Sequence, residues 1–426
     1  MKQIMYFLLA SLLLSISCNG NSPVKQNGIK PDSDNGGLTL PKGFSALVVA
    51  DDLGRGRHLV VRDNGDIYLA LRNLKNNYGI VALRDTSGDG KADITKYFGE
   101  YPGTGIDIHQ GYLYFASDTA VMRYKLIENQ LLPDPRPEQI AGGFILQHQH
   151  AVKPFSFDKK GNMYVNVGAP SNACQERMRT PGSPGLDPCP QLERQGGIWQ
   201  FKDDVPGQTQ QENGRRYATG IRHAVALDWN HHSNHLYVVM HGRDQLNQFF
   251  PEHFDQQESV ELPSEEFLLV EEGDDFGWPY CYYDHHKNKK VLAPEYGGDG
   301  EKTGRCEDAK NPILGLPAHY APNDLIFYEG SMFPEKYHHG AFIAFHGSWN
   351  RAPKEQKGYL VAFVPFDKEF PSGDWEIFAN GFAGIDYIAS PGDAKHRPCG
   401  VETGPDGSLY ISDSVNGKIW RVLYND

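Results

Sequence analysis

Apolar and polar residues alternate in short runs along most of this chain, and few stretches keep a helical period, which predicts short strands joined by tight turns. One pattern recurs: a polar turn leads into a short alternating strand with Tyr or another large apolar residue at its centre. It reads Asp63-Asn64-Gly65-Asp66-Ile67-Tyr68-Leu69-Ala70, then Gly111-Tyr112-Leu113-Tyr114-Phe115-Ala116, then Lys160-Gly161-Asn162-Met163-Tyr164-Val165-Asn166. It returns as Ser233-Asn234-His235-Leu236-Tyr237-Val238-Val239, as the degenerate His339-Gly340-Ala341-Phe342-Ile343-Ala344-Phe345, and as Pro405-Asp406-Gly407-Ser408-Leu409-Tyr410-Ile411-Ser412. Six copies at spacings of about 45 to 105 residues predict an all-β, six-bladed β-propeller whose longer gaps are irregular loops. A tandem pair of β-sandwiches also suits short strands but leaves the repeat unexplained. The 46 Gly and 28 Pro agree with a turn-rich β protein.

The N-terminus departs from this pattern. Lys2 followed by the apolar run Ile4 to Leu14 reads as a secretory signal over residues 1–17, too short to remain as a spanning helix. The run ends at Ser15-Ile16-Ser17-Cys18, which resembles the lipobox of bacterial lipoproteins, with Ser15 where Leu is commoner. Lipidation of Cys18 and simple secretion both stay open. Residues 18–37 then form a polar tether, and residues 38–426 the propeller. The expected location is the cell envelope: an exported lipoprotein of the periplasm or outer membrane, held to the membrane through its lipid.

At a net charge of −13 with no run of Lys or Arg, the chain carries no electrostatic footprint for nucleic acid, and a small neutral or cationic partner is easier to accept. Besides Cys18 there are five cysteines. Cys174 and Cys189 bracket a Pro/Gly-rich loop, and Cys281 and Cys306 a second polar loop; in an oxidising compartment these read as two local disulfides, with Cys399 left over. No zinc spacing and no Cys-x-x-Cys-His haem attachment is present. The segment from Asp85 to Asp93 sets Asp85, Ser87, Asp89, Lys91 and Asp93 at alternate positions around a glycine turn, like the start of an EF-hand loop. Lys96 stands where the closing Glu belongs, so a structural calcium site and a metal-free polar hairpin are equal readings.

Five segments together carry a resemblance: Asn166-Val167-Gly168-Ala169-Pro170-Ser171-Asn172-Ala173-Cys174, Tyr217-Ala218-Thr219-Gly220-Ile221-Arg222, His241-Gly242-Arg243-Asp244-Gln245-Leu246, Phe276-Gly277-Trp278-Pro279 and His346-Gly347-Ser348-Trp349-Asn350-Arg351. From about Leu40 to Tyr424 the chain resembles the sugar dehydrogenases that use pyrroloquinoline quinone (PQQ), in the branch with sorbosone dehydrogenase and fungal pyranose dehydrogenase domains. The resemblance implies that His150 is the base that takes a sugar hydroxyl proton, with His148 as fallback. It implies that Arg222 stabilises negative charge on the quinone. Arg351, Arg397, Lys153 and Arg222 would hold the cofactor, with Trp349 and Asn350 shaping the pocket, and Gly242, Arg243 and Asp244 would supply oxygen ligands to the calcium that accompanies PQQ. His223 stands where relatives usually have Asn, and Lys153 where they often have Arg, a weaker fork for a carboxylate.

The expected function is therefore PQQ- and calcium-dependent oxidation of a sugar, with electrons passed to an external cytochrome or quinone. A calcium-dependent lactonase on the same fold, and a propeller that only binds carbohydrate or protein, are the alternatives. The sequence names neither the sugar nor the acceptor.

Overall fold

The computed structural model describes residues 28–425, so the leader and Cys18 lie outside the described residues. Six sheets follow one another along the chain, five of them four-stranded and antiparallel and one, the second, extended to five strands by Gln208–Thr209, which pairs in parallel with Glu138–Gly142. Their innermost strands are Gly56–Val61, Ile106–His109, Phe155–Phe157, Ala224–Asn230, Pro322–Phe327 and Pro398–Thr403, and each touches the next around a closed ring. These define blades one to six. The ring is fastened in blade six, where Phe44–Ala50 from the beginning of the chain pairs with Ile419–Tyr424 from its end.

Every copy of the sequence repeat is the second strand of a blade, preceded by its turn. The turn residue is left-handed in all six: Gly65 (φ 88), Gly111 (φ 79), Gly161 (φ 80), Asn234 (φ 61), His339 (φ 61) and Gly407 (φ 87). Glycine and Asn adopt that conformation at low cost, which is why the motif survives as Gly or Asn in most copies. The central aromatic packs between blades: Tyr68, Tyr114, Tyr164, Tyr237 and Tyr410 are buried, with Phe342 in the degenerate copy. Burying a phenol requires a partner for its hydroxyl. Tyr68 Oη donates to Leu131 O (2.7 Å) and Tyr114 Oη to Asp203 O (2.6 Å).

Because inner and second strands are antiparallel, the start of one and the end of the other lie together. Ala224 pairs with Met240, Pro322 with Phe345, and Pro398 with Asp413. The connections into inner strands and the loops leaving second strands therefore share one end of the propeller, here the upper end. The repeat turns form the lower end. Register shifts interrupt the inner strands at Gly56/Leu59, Ala224/Ala226, Pro322/Asp324 and Pro398/Gly400, all close to the upper end. Such bulges break the in-out alternation and re-aim side chains there.

Candidate active site

His150 ends the connection into blade three in a left-handed conformation (φ 52). Its Nδ1 lies 2.6 Å from the carbonyl of Ala169. Nδ1 therefore carries the proton and donates, leaving Nε2 with a free lone pair. The ring of His223 stacks on it at 4.3 Å and 19°, and His241 lies 4.7 Å beyond His223. Burial, with the Arg222 guanidinium nearby, holds His150 well below the ordinary histidine range, so it is neutral and able to accept a proton. Gly168 makes this approach possible: a Cβ there would meet His150 O and Cβ at 2.8 Å. His148 is exposed on the neighbouring turn.

Arg222 is 3 % exposed, and its guanidinium is fully engaged. It donates to Asn172 O (3.1 Å), Asn172 Oδ1 (3.0 Å), Gly242 O (2.8 Å) and Asp244 Oδ2 (2.8 Å). Asp244 also accepts from Arg179 (2.9 Å), which reaches over from the disulfide-closed loop. Two guanidinium groups around one carboxylate keep Asp244 far below the usual carboxylate range despite its burial. Of the three residues expected at calcium, Gly242 and Asp244 thus turn oxygens to Arg222, while the Arg243 side chain pairs with buried Glu295.

The other expected residues divide sharply. Arg397 donates to His346 O (3.0 Å) and Gly347 O (2.6 Å) at the upper end of the channel, with no carboxylate within 4.0 Å among the described residues. Trp349 is 49 % exposed at the mouth, 5.9 Å from Arg179. Asn350 is buried against His319 (3.3 Å). Arg351 turns inward: it donates to Val260 O (2.9 Å), Ala318 O (3.4 Å) and Glu355 O (3.2 Å) and pairs with Glu261 (2.9 Å), so its charge ties loops together. Lys153 is fully buried, donates to Ala151 O, and is pushed down to about 8 by desolvation.

Both disulfides form: Cys174–Cys189 (Cα–Cα 6.2 Å) and Cys281–Cys306 (5.7 Å). The first steadies the loop that delivers Asn172 and Arg179. Cys399 is buried and free. In the Asp85 to Asp93 hairpin the carboxylates accept from backbone amides: Asp85 from Gly88 (2.7 Å) and Gly90 (2.7 Å), Asp93 from Thr86 (2.6 Å). Among the described residues no group of three or more His, Cys, Asp or Glu stands ready for a metal ion.

Sequence reasoning missed Arg55, Arg57 and Arg179. Arg57 sits inside the blade-one bulge, and its Nε is buried without a partner, as is His223 Nδ1. No spacing marks these residues; only ring closure brings blade one beside blade six.

The TrAA12-like family model matches residues 38–425. Among curated proteins, the chain is 31 % identical over 208 residues to an uncharacterised protein of Borreliella burgdorferi, covering 49 % of this chain and 48 % of that one. It is 29 % identical over 169 residues to the pyrroloquinoline quinone-dependent pyranose dehydrogenase of Coprinopsis cinerea, covering 34 % of this chain and 22 % of that one. The chain thus spans about half or less of the length of these relatives. Among solved structures, the holo PQQ domain of Coprinopsis cinerea pyranose dehydrogenase superposes with a TM-score of 0.71 at 18 % identity, over 91 % of this chain and 97 % of that one. The calcium structure of the family AA12 enzyme of Trichoderma reesei gives 0.74 at 16 %, over 91 % and 97 %.

Proposed function

We propose that this chain, which belongs to the TrAA12-like family, is a PQQ-dependent sugar dehydrogenase whose site is the upper end of the channel. The observation that carries the reading is His150, a neutral imidazole with Nε2 free, set beside buried Arg222 in a funnel that holds unneutralised arginines. The names of the pyranose dehydrogenase relatives supply the substrate class.

The funnel fits an anionic cofactor: PQQ carries carboxylates, and among the described residues Arg57, Arg397 and His223 have no carboxylate within 4.0 Å. When bound, PQQ supplies a two-electron acceptor for a hydride from the sugar carbon. His150 Nε2 takes the hydroxyl proton, its ring held by the Ala169 carbonyl and the face of His223. Arg222, immobilised by Asn172 and Asp244, provides fixed positive charge where negative charge develops. Gly242 O and Asp244 are the oxygen donors nearest to Arg222 and would serve calcium, which polarises an oxygen as a Lewis acid. Trp349, exposed at the mouth, offers an apolar face to a sugar ring.

The two disulfides support export to an oxidising compartment, with Cys18 as lipid attachment and an external cytochrome or quinone as electron acceptor. The test is reconstitution: purified protein receives PQQ and Ca²⁺, then aldoses, ketoses and osones, while reduction of the quinone is followed by absorbance. Reduction with at least one sugar is expected; absence of PQQ binding together with absence of reduction removes the proposal.

A further inference from the structure

We propose that Gln147, oriented by Gln195, is the positioning residue of the site: it clamps the turn that presents His150 and so fixes the direction of the imidazole. This role rests on the reading of His150 as the base.

The turn before blade three needs such a clamp. His150 stands in the left-handed region (φ 52), where a residue with a Cβ is strained. On its N-terminal side Ile145, Leu146 and His148 are exposed, so apolar burial does little to fasten the turn there.

The Gln147 amide supplies the fastening. Its Nε2 donates to Gln149 O (2.8 Å), His150 O (3.0 Å) and Gly168 O (3.0 Å). Two of these carbonyls belong to the turn. The third follows the second strand of blade three, next to Ala169, whose carbonyl receives the Nδ1 proton of His150 (2.6 Å). One amide therefore ties the turn to the segment that holds the imidazole.

Carbonyls accept and do not donate, so the amide nitrogen must face all three and Oε1 must face away. There Oε1 accepts from Gln195 Nε2 (2.6 Å). Gln195 is buried, and its own backbone is fixed: its N donates to Gln191 O (3.0 Å), and the following Gly196 N donates to Val167 O (2.8 Å), beside Gly168. Gln195 thus sets the amide of Gln147, and Gln147 sets the turn of His150.

Proton transfer needs direction as well as proximity, and small misplacements of a base are expensive. Nε2 of His150 is free to accept only while Nδ1 keeps its proton on Ala169 O. A relaxed turn lets the ring leave that carbonyl, and then either nitrogen can carry the proton. Neither glutamine titrates, so the pair contributes position alone.

Gln147→Met and Gln195→Met keep the length of the side chain and remove the amide. With PQQ, Ca²⁺ and a sugar that the wild type oxidises, Gln147→Met is expected to lower kcat about thirtyfold and Gln195→Met about tenfold, with KM and PQQ affinity within about twofold. In a His150→Ala background neither should lower kcat further, because both act through His150. Additive losses in that background, or an unchanged kcat in the single variants, overturn the proposal. A second measurement needs no turnover: ¹⁵N NMR of the histidine side chains in ligand-free protein, with the His150 signals identified by their loss in His150→Ala. The wild type should show the Nδ1–H form, and Gln147→Met a mixture of the two tautomers; an unchanged Nδ1–H form in Gln147→Met overturns the clamp. Where the wild type oxidises no sugar, the functional reading fails and the NMR result alone decides the clamp. If Gln147→Met does not fold, Gln195→Met is read by the same two measurements and the same outcomes decide.

Discussion

The two ends of the channel are built on opposite charge. At the lower end Asp107, Asp228, Asp324 and Glu402 face a cavity of about 500 Å³. At the upper end stand Arg57, Arg222 and Arg397, with His150 stacked on His223 and His241 tilted against it. The acids are stitched into the scaffold: Asp228 accepts from Phe327 N (3.0 Å) and Asp324 from Val401 N (2.9 Å), joining blade four to five and five to six. Burial raises Asp107 to about 7 and Asp228 to about 6, so each takes up a proton far more readily than an ordinary carboxylate. Arginine has no such escape, since it stays protonated at any pH the protein meets. The lower acids can be discharged by protonation, whereas the upper arginines keep their charge, which Asp244 balances at Arg222 and backbone carbonyls receive at Arg397.

The sharpest break in this comparison is a substitution confined to the upper end. His150→Ala should lower kcat about a thousandfold while leaving PQQ affinity nearly intact, the magnitude expected for loss of a positioned base. Parallel turnover and cofactor titration check it; loss of both makes His150 a structural residue. Next in size is the loop that holds Arg179 against Asp244. Removing the Cys174–Cys189 bridge, of sequence separation 15, should cost about 3 kcal/mol in denaturant unfolding and weaken sugar binding in steady-state kinetics.

The smallest effect belongs to the lower end and depends on pH. Because Asp107 titrates near 7 when folded and near its ordinary 3.8 when unfolded, the folded chain holds an extra proton between those values. Its contribution to stability therefore declines as pH rises through that window. Asp107→Asn should melt higher than wild type at pH 8, by a margin that shrinks as pH falls and closes only below 3.8, with activity unchanged. The upper histidines have the opposite sign: His241, held at about 4 by burial, makes acidification below the ordinary histidine value destabilising. Melting curves across this range separate the two ends.

Local chemistry made much of the architecture legible. A left-handed turn residue followed by alternating apolar positions is a property of a few adjacent residues, so Gly65, Asn234 and Gly407 announced their strands without help from the rest of the chain. The same holds for the two disulfide loops, whose short separations allow little else. His150 and Arg222 were reachable because they stand in extended motifs. Arg351 lies in such a motif as well, yet its guanidinium turns to Val260, Ala318 and Glu261, and nothing in a linear pattern says which way a long side chain points.

By itself, then, the sequence determined the blades, their number and the turn that opens each second strand, because periodicity and turn chemistry act over a few bonds. Only closure of the ring decided which charges meet. Arg57 from blade one, Arg397 from the entry to blade six and His223 from the entry to blade four are far apart along the chain, and bulges in the inner strands aim them. Whether a cation is neutralised depends on which acids the fold brings within reach, and that is a property of the assembled propeller alone.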